Sequence, residues 1–138
     1  MISSVPTRVL RVALVSSQPS LERGVAQVIR ESPELTWRGS APDADSAIHL
    51  CHNECPDVLL VDSADDPRWD MSLLLTSMFP TLVVVALLRR QSRTAVAAAW
   101  ARLHGVHGLV GLNTDADCLR EAIRAAIEIG HYVQPDLT

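Results

Sequence analysis

Long hydrophobic runs, an excess of positive charge and paired cysteines are all missing from this sequence. No apolar stretch approaches the ~20 residues that a membrane-spanning helix needs, and Met1-Ile2-Ser3-Ser4-Val5-Pro6-Thr7-Arg8 lacks the charged-then-apolar layout of a signal peptide. The formal net charge is −4, from 12 basic and 16 acidic side chains, so the domain itself is not expected to grip nucleic acid. Three cysteines make an odd number in a chain without a secretion signal, which argues for reduced thiols in a cytoplasmic protein. There is no internal repeat and no low-complexity linker. No Gly-x-Ser-x-Gly turn or nearby histidine makes Ser16 or Ser17 a hydrolase nucleophile. What is present is 138 residues, 48% hydrophobic and 20% charged, which suits one domain with a single continuous core.

The stretch Pro56-Asp57-Val58-Leu59-Leu60-Val61-Asp62 organises the rest. A short run apolar on both faces suits a central strand of a parallel sheet covered by helices on each side. Such a strand delivers Asp62 to the carboxyl edge, where open α/β folds place their sites. Residues 82–88 form a second run of this kind, and residues 9–15, 35–39 and 108–111 read as further strands. Between them lie helical patterns. One follows Ser20 as cap, with Leu21, Val25, Val28 and Ile29 on one face; others cover about 45–53, 71–78 and an alanine-rich 94–103 closed by Gly105. Thr114 or Asp115 caps a last helix with an apolar stripe of Leu119, Ala122, Ile123, Ala126 and Ile127. The alternation predicts an α/β fold, (βα)₅, with a doubly wound, parallel, five-stranded sheet and right-handed crossovers. Residues 8–135 are expected to form the domain, with 1–7 an N-terminal extension and 136–138 a tail or the start of a linker.

Several motifs, taken in order, resemble the receiver domain of bacterial two-component response regulators of the NarL/FixJ type, over roughly Arg8 to Pro135. Leu14-Val15-Ser16-Ser17-Gln18-Pro19 stands where that family has two apolar residues, two aspartates, a variable residue and proline. Glu22-Arg23-Gly24-Val25 resembles the family's arginine-glutamate-glycine-leucine, and Gly105-Val106-His107-Gly108 its Gly-Ala-x-Gly. Leu119 to Ala125 and Gly130-His131-Tyr132-Val133-Gln134-Pro135 resemble its last helix and exit. The resemblance implies the flavodoxin-like receiver fold and makes Asp62 the phospho-acceptor position.

The chemistry departs from that pattern. The family holds Mg²⁺ with an acidic pair, and the matching positions are Ser16 and Ser17, uncharged hydroxyls that bind Mg²⁺ poorly. The family's lysine on the phosphate falls on Leu112, and its hydroxyl switch on Ala86 or Leu87. Asp62 is therefore expected to be a vestigial acceptor in a degenerate pocket. Two readings stand for it: Arg89 or Arg90 reaches over the pocket and pairs with it, or it is a solvated carboxylate at a strand end. Asp65, Asp66 and Asp70 read as a solvated loop rather than a cation site. His49, Cys51, His52 and Cys55 do not converge on a helix, so Cys51 reads as a structural thiol and no metal is expected. Cys118 begins the last helix without a visible redox partner.

The expectation from sequence is a regulatory, non-enzymatic module that needs no cofactor. It would act without aspartyl phosphate, through homodimerisation or a small ligand at a pocket bounded by Ser16, Ser17, Asp62, Ala86 and Arg89. The resemblance implies DNA contact through a helix-turn-helix domain absent from this chain. Two alternatives are Mg²⁺-dependent phosphorylation of Asp62 and a stand-alone dimeric scaffold. In the alanine-rich helix the stripe of Val96, Trp100 and Leu103 is expected to pack on the sheet, and Ala95, Ala97, Ala98, Ala99 and Ala101 on the other faces leave apolar surface for a partner.

Overall fold

The computed structural model describes residues 9–88, 101–112 and 114–134. The chain runs β1 (Leu10–Val15), α1 (Pro19–Arg30), β2 (Leu35–Ala41), α2 (Ala44–Glu54), β3 (Val58–Asp62), α3 (Asp70–Met78) and β4 (Val83–Leu88). It continues through β5 (Gly108–Gly111), α4 (Ala116–Glu128) and β6 (Tyr132–Val133). Residues 101–103 are also helical and lead toward β5.

All strands pair in parallel, in the order β2-β1-β3-β4-β5-β6. β3 and β4 sit in the middle because their side chains are apolar on both faces, and all five residues of β3 are buried. Strand alternation sorts the core into two layers. Ala13, Val15, Leu59, Val61, Val84 and Ala86 meet Ala47 and Cys51 of α2 and Leu75 of α3 on one side. Val12, Leu14, Val58, Leu60, Val85 and Leu87 meet Val25 and Ile29 of α1 and Leu119 and Ile123 of α4 on the other. The strand order turns back between β1 and β3, and the carboxyl ends of those two strands lie side by side there, with Val15 opposite Val61.

Two sequence expectations need correction. The sheet has six strands rather than five: β6 is only two residues long, pairs Tyr132 and Val133 with Gly108 and Leu109, and is too short for any apolar period to reveal. α1 begins at Pro19, whose fixed φ and missing N–H suit the first helical turn, so Gln18 takes the capping place expected of Ser20. Asp43 caps α2 by accepting from Ser46 N at 2.9 Å, and Asp115 caps α4 by accepting from Cys118 N at 2.8 Å. Of the alanine-rich helix, residues 94–100 and the Val96–Trp100 stripe lie outside the described residues.

The entry to β5 is tightly specified. Gly105 has φ +86°, and a Cβ there would meet Thr76 Oγ1 at 2.4 Å, so a side chain would strain the backbone and force the Thr76 side chain to move. Next to it, the His107 N–H donates to Val84 O at 2.8 Å, and Nδ1 of its ring accepts from Val84 N–H at 3.0 Å. That second bond requires an unprotonated Nδ1, and burial lowers the pKa of His107 below the ordinary histidine value. The unfolded chain therefore binds this proton more readily than the folded one. The stabilising contribution is complete above about pH 6.5 and is lost as the pH falls below it. Urea midpoints measured from pH 7.5 to 5.5 are expected to fall, and His107→Gln should flatten that slope. An equal slope in the variant would remove His107 as its origin.

Candidate functional site

The carboxyl edge gathers the loops after β1 and β3 around Asp62. Its side chain is fully buried at the end of β3. Ser16, also buried, donates its hydroxyl to Asp62 Oδ2 at 3.2 Å and accepts from Gln18 N at 3.1 Å. Asp62 Oδ1 accepts from Ala64 N at 3.0 Å, a local turn in which the carboxylate holds its own loop. The Ser63 N–H donates to Leu87 O at 3.0 Å and so ties the loop to β4. The reading of Asp62 as a solvated carboxylate is thereby corrected: the side chain lies inside the fold and, among the described residues, accepts from Ser16 and Ala64.

The neighbouring acidic residues are engaged as well. Asp65 accepts from the backbone N–H of exposed Ser17 at 2.9 Å, which joins the β1 and β3 loops a second time. Asp66 is buried and not solvated as the sequence suggested. Its oxygens accept from Met71 N at 3.0 Å, Ser72 N at 2.9 Å and Ser72 Oγ at 2.7 Å. It therefore caps α3 from upstream, while Trp69 occupies the N-cap position in a left-handed conformation with φ 63°. Only Asp70, in the first turn of α3, is exposed.

The remaining predicted residues are apolar and packed. Ala86 pairs with Val61 and joins the α2–α3 layer, whereas Leu87 is the direct register partner of Asp62 and joins the α1–α4 layer. Leu112 follows β5, half-buried against that second layer, and its N–H donates to Leu88 O at 2.8 Å. Arg89 and Arg90 lie outside the described residues. The chain contains no lysine at any position.

The pocket expected from sequence includes Arg89, which lies outside the described residues. A cleft of ≈ 230 Å³ runs between α1 and α4, lined mainly by Leu21, Val25, Val28, Leu87, Leu112 and Leu119. Among the described residues no three His, Cys, Asp or Glu side chains are grouped to hold a metal ion. No described helix is long and apolar enough to cross a membrane.

With this geometry in hand, the chain can be set beside known proteins. No family model matches it. It is 28% identical over 131 residues to protein-glutamate methylesterase/protein-glutamine glutaminase 4 of Myxococcus xanthus, which covers 87% of this chain and 37% of that protein. It is 23% identical over 132 residues to the transcriptional regulatory protein DegU of Brevibacillus brevis, covering 94% of this chain and 55% of that one. The chain thus spans about a third to a half of the curated relatives it matches. Among solved structures, a LuxR-family two-component response regulator from Aurantimonas sp. SI85-9A1 superposes with a TM-score of 0.81 at 22% identity, covering 94% and 92% of the two chains. The fold is that of response-regulator receiver domains, as the sequence resemblance implied.

Proposed function

We propose that this chain is the receiver-like regulatory module of a transcription regulator, non-enzymatic and working without aspartyl phosphate. One observation carries the reading. The Asp62 carboxylate is buried and already accepts from Ser16 Oγ and Ala64 N, where a phospho-acceptor must meet a divalent cation and an incoming phosphoryl group. Phosphoryl transfer relies on positioned charges, and this edge offers serines and leucines in place of the family's acidic pair and lysine. On this account the site has become a latch: Ser16–Asp62 and Ser17–Asp65 hold the two loops in one arrangement.

The signal would then be carried by dimerisation or by a small apolar ligand, for which the α1–α4 cleft offers space. DNA contact would belong to a helix-turn-helix domain outside this chain; the relative DegU is named a transcriptional regulatory protein. Sedimentation velocity with and without acetyl phosphate and Mg²⁺ tests the proposal. The two distributions are expected to coincide, and a shift toward dimer that depends on both reagents would overturn it.

A further inference from the structure

At the opposite, amino edge of the sheet, the end of α2 carries two cysteines one helical turn apart. Cys55 is left-handed (φ 47°, ψ 55°), and its N–H closes a single bond to Cys51 O at 3.1 Å. This kind of helix ending brings the left-handed residue into contact with the side chain four positions earlier. Helical geometry sets the two Cα atoms about 6 Å apart, within the roughly 4.4–6.8 Å that a disulfide spans. The Cys55 side chain folds back over the last turn, its Sγ 3.7 Å from His52 O. Both cysteines line one cleft of ≈ 410 Å³, together with Arg11, His52 and Asp57. Cys55 is exposed at its mouth, and Cys51, only 2% exposed, forms its inner wall.

We propose that Cys51 and Cys55 form a reversible redox pair that hydrogen peroxide converts to an intramolecular disulfide. Cys55 reacts first, because it is the exposed thiol of the two. Burial pushes the Cys51 thiol up to about 11, so this sulfur stays protonated and waits. The Cys55 thiolate attacks one peroxide oxygen, the O–O bond breaks, and the other oxygen leaves as water after taking a proton. Cys55 is then a sulfenic acid. Cys51 attacks the Cys55 sulfur and displaces its hydroxyl, which leaves as a second water with the Cys51 proton. The two thiols give up two electrons and two protons, and peroxide is reduced to two waters. In forming the bond, Cys51 withdraws from the layer it shares with Ala47 and Leu59, so oxidation would loosen one face of the sheet.

The test uses the full chain carrying Cys118→Ser, treated with one equivalent of hydrogen peroxide and then unfolded and alkylated. The expected product has lost the mass of two hydrogens, takes up no alkyl group, and regains both sites after dithiothreitol. Cys55→Ser in the same background, a change at an exposed position, should keep its circular dichroism and leave Cys51 fully alkylatable after peroxide. Sulfinic acid on Cys55 with Cys51 still alkylatable would overturn the proposal, and so would a Cys55-linked dimer as the sole oxidised product.

Discussion

Asp66→Ala is expected to lower the unfolding free energy by about 3 kcal/mol, because the variant leaves buried donors at the start of α3 without their acceptor. The carboxylate takes three hydrogen bonds at 3.0, 2.9 and 2.7 Å, two of them from the backbone N–H groups of Met71 and Ser72. α3 has no side-chain cap at Trp69, so among the described residues Asp66 holds its first turn. Exposed Asp70 provides the internal comparison, and Asp70→Ala should change stability by less than about 0.5 kcal/mol. Urea unfolding of the two variants separates the roles. Similar small losses in both would show that Asp66 is not the helix anchor described above.

Ser16→Asp should produce the second large effect, and one that depends on the metal. The substitution sets a second carboxylate against buried Asp62, with Asp65 close by on Ser17 N. Like charges in a buried site repel and have little water to screen them, so a loss of about 3 kcal/mol is expected in EDTA. A divalent cation takes carboxylate oxygens and relieves this, so millimolar Mg²⁺ should restore most of the loss. The parent protein, with a hydroxyl there, should be indifferent to Mg²⁺. A parent stabilised by Mg²⁺ as strongly as the variant would mean that the latch already accommodates a cation.

The sequence was explicit about the frame because the frame is made of strong, local signals. β3 and β4 are apolar on both faces, and α1 and α4 carry clean stripes. These fix a parallel sheet and put Asp62 at its carboxyl edge. The identity of the edge residues was equally readable, since Ser16 and Ser17 are uncharged hydroxyls and Leu112 is apolar. Burial was the harder matter. Nothing in Asp65-Asp66-Pro67-Arg68-Trp69-Asp70 marks Asp66 as an internal cap, because its acceptors reach five and six residues ahead instead of the usual two or three. The spacing from Cys51 to Cys55 suggested one helix face, but not the left-handed turn at Cys55, which a cysteine rarely adopts. β6 escaped for a different reason: Gly111 N donates to Gln134 Oε1 at 2.8 Å, so part of that edge is completed by a side chain instead of a strand.

The most direct measurement is the intact mass of the protein after incubation with acetyl phosphate and Mg²⁺, with Asp62→Asn treated in parallel. A buried Asp62 held by Ser16 and Ala64 predicts an unchanged mass in both. A phosphoryl adduct on the parent that is absent from Asp62→Asn would contradict the account, because it would mean the latch opens and the missing charges have substitutes.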